Sequence, residues 1–280
     1  MKPKERICTL MWGTAWGHYG ENFANTFEEF WPSDVELSIV TDAILPTERA
    51  VQVPLETVQG YSDFMAKYGS DRKANGYDRG NKKTIVRYDE SDEAREWRFD
   101  AVLWMPQILS PRACIEGLND GDILAWFDAD TETIAKVPQG WLSSIVGSND
   151  IAIIQRPKKF SELGFWAVRI SAKTRKFLND IADIYESGAV FELEQWHSGF
   201  VFDYVVASSK MKVKNLTPPR SRQITGGSIW WKTVVGQYTN HLKGKLKFMS
   251  KPRRERMINK KRLNASLRQA GHIYLKRRKK

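Results

Sequence analysis

Two carboxylates directly after an apolar segment are the feature that most constrains this chain. Five apolar or aromatic residues, Ile123–Phe127, are followed by Asp128 and Asp130. The apolar run predicts a buried strand, and alternate side chains of an extended chain point the same way. Both carboxylates can therefore reach one hard divalent cation such as Mn²⁺ or Mg²⁺. The alternative is an acidic turn in which Asp130 or Thr131 caps the segment that follows.

The order of strands and helices predicts an α/β fold. Residues 7–12 and 35–41 are predicted strands, and residues 21–30 between them a helix that Trp31 and Pro32 end. This strand, helix, strand opening is typical of a nucleotide-binding α/β sheet. Residues 61–83 are predicted to form a long loop with some helix, either a lid or a tolerated insertion. Further helices are predicted at 98–118, 171–187 and 192–206, and further strands at 151–154, 161–168 and 211–216.

A second motif lies far down the chain, at His241, Gly244 and Lys247, with the spacing HxxGxxK. The imidazole can bind a metal, and the glycine permits close approach of the backbone to a phosphate. The lysine can neutralise the charge of a leaving phosphate. Taken alone, His241 would be read as a hydrogen-bonded loop histidine. The two carboxylates upstream favour the metal.

Together the two segments resemble the GT-A glycosyltransferases, and more narrowly the glycogenin-like family 8 enzymes and their bacterial and phage relatives. The resemblance implies a single GT-A domain with a mixed central sheet and transfer of a sugar, with retention, from a nucleoside diphosphate sugar such as a UDP-sugar. It implies Asp128, Asp130 and His241 as ligands of Mn²⁺ or Mg²⁺, with Gly244 and Lys247 at the pyrophosphate. The transferred group would be a hexose or a pentose.

The resemblance extends to the nucleoside. Family members place the base and ribose against the ends of the first strands, which implies nucleoside contacts from Thr9, Trp12 and Asp42. Their helix before the metal strand carries a basic and an acidic residue toward the nucleotide, which would be Arg98 and Asp100. The alternatives are ordinary loop or core residues for the first three and a surface ion pair for the other two.

On the sugar side the resemblance implies Glu162, Gln195 and His197 as pocket candidates. Residues 161–168 match the family strand under the donor sugar, with Glu162 and Gly164 at its mouth. The family's Asp-Gln pair is matched by residues 194–195, at the start of the helix predicted over 192–206, and His197 one turn away competes for that role. A polar helix N-terminus is the alternative. The chain departs from the family pattern after Lys247, where a Pro-Trp is usual and Phe-Met stands here.

Positive charge is concentrated at the end of the chain, which carries a formal +11 overall. Residues 251–280 hold thirteen Lys or Arg and one acid, which leaves 31 basic and 32 acidic residues in the first 250. We therefore divide the chain into a catalytic domain, 1–250, and a basic C-terminal extension, 251–280. Such an extension suits a polyanionic acceptor, either hydroxymethylated DNA of the phage type or an anionic inner leaflet where lipopolysaccharide or capsule is built. DNA is favoured because the extension lacks an apolar face for lipid; a solubility device is the alternative.

Other classes of protein fit less well. Two cysteines give no disulfide framework, and no apolar run approaches the ~20 residues of a membrane span, so we expect a soluble, cytoplasmic protein. A haloacid-dehalogenase-like phosphatase would need a threonine where Glu132 stands. A non-catalytic nucleic-acid-binding protein would explain the extension but not the carboxylates.

Overall fold

The computed structural model describes residues 2–77, 85–86, 95–156, 159–219, 229–250 and 252–260. In the described residues the strands are β1 (Glu5–Met11), β2 (Val35–Thr41), β3 (Ala50–Pro54), β4 (Ile85–Val86), β5 (Arg95–Glu96), β6 (Ile123–Phe127), β7 (Thr131–Thr133), β8 (Ile151–Ile154), β9 (Glu162–Arg169), β10 (Val213–Asn215) and β11 (Thr239–His241). The helices are α1 (Glu21–Phe30), α2 (Tyr61–Tyr68), α3 (Ala101–Ala113), α4 (Trp141–Val146), α5 (Ala172–Glu186), α6 (Ser198–Ser208) and α7 (residues 252–260).

Seven strands form one mixed sheet in the order β10-β8-β9-β6-β1-β2-β3. Strand β1 pairs in parallel with β2, as a strand, helix, strand opening requires, and it also pairs in parallel with β6 on its other side. Strand β9 runs antiparallel to both β6 and β8. The predicted α/β fold with a mixed central sheet is confirmed.

The sheet has a separate hydrophobic core on each face because alternate side chains of its strands point to opposite sides. Leu124 and Trp126 of β6 join one core, with residues of α2, α3, α5 and α6. Ile123 and Phe127 of the same strand join the other, with residues of α1 and α4. Strand β6 is thus covered on both faces, and its carboxyl end is the first point where a polar side chain can emerge.

A small second sheet connects the two motifs of the sequence. Strand β7 pairs antiparallel with β11, and Thr131 lies opposite His241 in the ladder. The Leu242 N–H extends the ladder by donating to the Asp130 carbonyl at 2.8 Å. This pairing brings the distant HxxGxxK segment to the end of β6.

Several predicted elements match those observed, and two helices need correction. Residues 21–30, 35–41 and 151–154 have the predicted bounds. The helix predicted over 192–206 begins only at Ser198, so residues 194–195 precede it. The helix predicted over 98–118 is a 3-10 turn at Trp97–Phe99 followed by α3, because Asp100 interrupts it as the N-cap. The loop predicted over 61–83 begins with α2, and residues 78–83 lie outside the described residues.

The basic extension begins with α7, which packs against the domain. Ile258 is buried against Leu242 and Leu246, and Arg254 is buried against Glu132. The predicted boundary at residue 250 stays a prediction, although these contacts place the first turns of the extension on the domain surface. No helix among the described residues is both long and apolar enough to cross a membrane.

Candidate metal centre and adjoining cleft

Asp128, Asp130 and His241 converge at the carboxyl end of β6. One side-chain ligand atom from each lies within 4.8 Å of the others. Asp128 directly follows β6, and its backbone carbonyl accepts a hydrogen bond from the Thr131 N–H at 3.0 Å. The two carboxylates therefore meet across a turn, not along an extended strand as the sequence argument assumed. The predicted convergence is observed, and its local geometry is different.

The donor atoms fit a divalent metal ion. His241 Nε2 lies 2.8 Å from Asp130 Oδ1 and 3.4 Å from Asp128 Oδ2. Asp130 Oδ1 and His241 Nδ1 are buried, and among the described residues neither has a partner with hydrogen-bond alignment. Buried donor atoms that lie close together without aligned hydrogen bonds are typical of metal ligands, because the cation is their shared partner. Two carboxylate oxygens and an imidazole nitrogen suit Mn²⁺. This group could hold a metal ion.

Asp128 is oriented by two hydrogen bonds to the same oxygen. The side-chain amide of Gln107 and the indole N–H of Trp126 both donate to Asp128 Oδ1, each at 2.9 Å. These bonds leave Oδ2 directed toward His241. Hydrogen bonds of this kind from surrounding side chains fix the orientation of metal-binding carboxylates.

Positive charge surrounds Asp130. Burial would raise the pKa of this carboxyl, but the charges of His241 and Lys247 outweigh it and hold the pKa well below its usual range. Lys247 Nζ lies 2.8 Å from Asp130 Oδ2 and 4.8 Å from the ring centroid of Tyr19. Burial would lower the pKa of His241, but the Asp130 carboxylate outweighs it and raises that pKa to about 9. A proton on His241 therefore balances Asp130, and a bound metal would displace it.

The His241 ring is held in place by close packing. The ring of Trp230 lies with its centroid 4.9 Å from that of the imidazole. Gly164 of β9 also lies against the ring, since a Cβ there would come within 2.4 Å of His241 Cε1. Any larger residue at position 164 would displace the imidazole. The glycine at the mouth of the predicted sugar strand thus has a steric role beside the metal centre.

A cleft of about 300 Å³ adjoins the centre and shares Asp128 with it. Its other lining residues come from the 3-10 turn before α3, from α3, from β9, from the start of α6 and from two loops. They are Trp97, Trp104, Gln107, Arg156, Ser161, Glu162, Leu163, Gly164, His197, Ser198, Gly199 and Lys243. The cleft combines aromatic rings with paired charges.

Glu162 lies in the cleft wall as an ion-paired carboxylate. Lys243 Nζ is 2.6 Å from each of its oxygens, and an Arg156 nitrogen is 3.4 Å away. Burial would raise the pKa of Glu162, but Lys243, His241 and Arg156 together lower it. Glu162 is therefore ionised at neutral pH and is an acceptor of hydrogen bonds. Its predicted contact with a sugar stays a prediction.

His197 lines the same cleft and contacts Gln195. His197 caps the N-terminus of α6, where its Nδ1 accepts from the Phe200 N–H at 3.3 Å. Its Nε2 lies 3.1 Å from Gln195 Oε1, which assigns the proton to Nε2. Burial, with a contribution from Arg156 and Arg98, lowers the pKa of His197 to about 4. His197 is thus neutral, and both of its nitrogens are engaged.

Of the residues predicted to contact the nucleoside, one lies within β1 and the other two directly follow β1 and β2. Thr9 is fully buried within β1, and Trp12 packs partly exposed against the core. Asp42 is exposed and accepts hydrogen bonds from the Gly13 N–H at 2.9 and 3.1 Å. None of the three is among the described residues that line the cleft. Their nucleoside contacts stay predictions.

Arg98 and Asp100 have separate partners. Arg98 Nε donates to Glu96 at 2.8 Å. Asp100 is fully buried, and its Oδ1 accepts from the Leu103 N–H at 2.9 Å as the N-cap of α3. Burial raises the pKa of Asp100 to about 6, against the lowering effect of that N–H and of Arg95. The surface ion pair considered for the two residues is wrong because Asp100 has no exposed surface.

The pyrophosphate contacts predicted for Gly244 and Lys247 stay predictions. Lys247 contacts Asp130, and Gly244 has φ +58° with open space where a side chain would stand. Sequence reasoning missed Lys243, Arg156 and Gln107. Lys243 lies inside the HxxGxxK run, so its proximity to the site was readable. The other two residues carry no local signal, since only the tertiary fold brings Gln107 to Asp128 and Arg156 to the cleft.

No protein-family model matches this sequence, and a search of curated proteins finds no match. The family resemblance therefore rests on the two motifs, the mixed sheet and the convergence of Asp128, Asp130 and His241.

Proposed function

We propose that this protein is a metal-dependent glycosyltransferase that moves a sugar from a nucleoside diphosphate sugar to an acceptor hydroxyl. The observation that carries the proposal is the convergence of Asp128 and Asp130 with His241 and Lys247 beside a cleft at the end of β6. A metal site with an additional lysine suits a reaction in which a diphosphate leaves. Sheets of this kind commonly bind ligands outside the carboxyl ends of their strands.

The diphosphate would be stabilised by charge from both motifs. Asp128, Asp130 and His241 would hold the metal, which when bound acts as a Lewis acid on the departing phosphate. Lys247 would add a second positive charge, already placed 2.8 Å from Asp130. The open left-handed backbone at Gly244 would let a phosphate approach closely.

The sugar would lie in the cleft. The rings of Trp97 and Trp104 offer apolar faces, and the Glu162 carboxylate can accept hydrogen bonds from sugar hydroxyls. In the reaction the acceptor oxygen bonds to C1 while the bond from C1 to the phosphate oxygen breaks. Glu162 is ion-paired and His197 is engaged at both nitrogens, so neither is a strong free base. We propose that the leaving diphosphate takes the acceptor proton and that configuration at C1 is retained.

The acceptor we propose is DNA that carries hydroxymethylated bases. The distribution of charge favours this acceptor, because residues 251–280 carry a formal +12 while the first 250 residues sum to −1. A segment of that charge binds a polyanion through counterion release, with a log-log salt slope near −0.9 per phosphate contact on duplex DNA. A base hydroxymethyl group would supply the attacking hydroxyl.

The test is product formation. The full chain is incubated with Mn²⁺, a panel of nucleoside diphosphate sugars, and either hydroxymethylated or unmodified DNA, and the DNA is analysed by mass spectrometry. We expect a hexose or pentose adduct on the hydroxymethylated DNA only, abolished by EDTA. An adduct that forms in EDTA contradicts the metal-dependent mechanism. Sugar transfer to lipid-linked glycans on anionic vesicles, with no adduct on DNA, would contradict DNA as the acceptor. The proposed glycosyltransferase activity would then stand.

The role of the extension is tested by removing positive charges from it in the full-length protein. Replacing Lys276, Arg277, Arg278, Lys279 and Lys280 with glutamine should weaken DNA binding and flatten its salt dependence. Unchanged DNA binding would reduce these charges to a solubility device.

A further inference from the structure

The first turns of the basic extension pack against the residues that flank the candidate metal centre. Two residues of α7, Arg254 and Ile258, lie one helical turn apart and are buried against the domain. Ile258 packs on Leu242 and Leu246, two apolar residues of the segment that also carries His241 and Lys247. Helix α7 therefore supports this segment from outside.

Arg254 joins the helix to the small sheet through a buried charge pair. Its Nη2 lies 2.7 Å from Glu132 Oε2, and the two side chains are 7% and 6% exposed. The other oxygen of Glu132 accepts a hydrogen bond from the Asn240 amide at 3.0 Å. Glu132 and Asn240 are directly opposite in the ladder between β7 and β11. Arg254 thus completes a network that spans both strands.

The next position of that ladder is the metal centre. Thr131 lies opposite His241, and the Leu242 N–H donates to the Asp130 carbonyl at 2.8 Å. The pairing of β7 with β11 therefore sets the distance between His241 and Asp130. Without Arg254, the Asn240 amide would be the one remaining partner of the buried Glu132 carboxylate among the residues that the structure describes. Such a charge turns outward or admits water, and either change would disturb the pairing.

We infer that Arg254 is a positioning residue for the metal centre, acting through Glu132 and the β7/β11 ladder. The inference rests on the metal centre of the proposed function, and it does not depend on the sugar or the acceptor. It also assigns the extension a second role besides charge: its first turns fix the segment that bears His241 and Lys247.

The experiment measures Mn²⁺ affinity of the full chain by electron paramagnetic resonance, well below the unfolding temperature. Arg254→Ala should weaken Mn²⁺ binding about ten- to a hundredfold, the range for loss of a residue that orients metal ligands. Arg254→Lys retains the charge but has a single point of contact, so its affinity should be intermediate. The control is Arg112→Ala, which breaks a half-buried pair with Glu186 between α3 and α5, away from the centre.

The outcomes separate three cases. Weak binding in Arg254→Ala together with wild-type binding in Arg112→Ala supports the inference. Wild-type affinity in Arg254→Ala, or an equal loss in Arg112→Ala, overturns it, since the effect would then be absent or one of general stability. Should Arg254→Ala fail to fold, Arg254→Lys and Arg254→Gln are judged by the same comparison. Absence of Mn²⁺ binding in the unaltered protein would instead overturn the metal centre and, with it, the proposed function.

Discussion

Asp130 and Asp100 are both buried carboxyl groups, and their pKa values are shifted in opposite directions. Asp130 has two cationic partners within 2.8 Å, His241 and Lys247, and its pKa is lowered. Asp100 has one backbone N–H at the start of α3 and Arg95 at 3.7 Å, and its pKa is raised to about 6. Burial penalises the charge of both. The neighbouring groups therefore determine whether the pKa rises or falls.

The difference separates a candidate binding site from a structural cap. At Asp130 the fold places an imidazole and an ammonium group beside one buried carboxylate; the imidazole can exchange its proton for a metal ion, and the ammonium of Lys247 suits a diphosphate. At Asp100 the fold provides the single hydrogen bond that a helix N-terminus asks for. The sequence predicts both residues as site residues, and their different surroundings favour different roles.

The largest expected effect is that of Asp130→Asn. Loss of one charged ligand from a three-residue set should abolish measurable Mn²⁺ binding, because the amide oxygen is a weaker ligand for a divalent cation. The change also leaves Lys247 without its buried partner, so we expect a loss of stability of about 1–3 kcal/mol in the metal-free protein. Titration calorimetry with Mn²⁺ and thermal unfolding check the two effects. Asp120→Asn, at a residue with a mostly exposed side chain, is the control and should bind Mn²⁺ as before.

Lys247→Ala should lower turnover by a factor on the order of ten to a thousand, the range for loss of one group that stabilises developing negative charge. Mn²⁺ affinity should change much less, because the lysine is not a ligand. Steady-state kinetics with the donor that the product assay identifies is the measurement. Lys136→Ala, at an exposed lysine near β7, controls for the loss of charge. Equal turnover in both variants would contradict the role of Lys247 at the diphosphate.

Gln107→Ala tests whether the orientation of Asp128 matters as much as its charge. Removing one of the two donors to Asp128 Oδ1 should weaken Mn²⁺ binding by about ten- to a hundredfold, with the Trp126 bond retained. Calorimetry without substrate isolates this effect from any contact that Gln107 makes in the cleft. Gln139→Ala, which removes a surface hydrogen bond to Asp34, should have no effect.

The sequence allowed the chemistry of the centre to be predicted because that chemistry is local. A buried apolar strand ends before charged residues appear, so Asp128 and Asp130 were expected at the end of a strand. His241 and Lys247 could be assigned to the same place only through a family resemblance. The structural reason for their proximity is the β7/β11 ladder, whose three-residue strands are too short to give a pattern in sequence.

The supporting residues could not be predicted for the same reason. Gln107 reaches Asp128 from α3, and Arg254 reaches Glu132 from a segment that reads in sequence as a charged extension. Nothing near either residue in the chain indicates its partner. The helix expected over 192–206 was misplaced because its early residues look helical, whereas the N-cap is His197.

The last prediction concerns Asp100 and has the smallest expected effect on activity. A carboxyl group whose pKa is higher in the folded than in the unfolded state costs the fold stability once it ionises. The cost from Asp100 is absent below the unfolded pKa near 4 and complete above about pH 6. A shift of that size corresponds to at most about 3 kcal/mol.

Asp100→Asn keeps the acceptor for the Leu103 N–H and removes the charge. Its advantage in stability over the unaltered protein should therefore grow between pH 4 and 6.5, as measured by urea unfolding, while turnover stays the same. A loss of turnover with unchanged stability would instead support the predicted nucleotide contact of Asp100 and remove the distinction from Asp130.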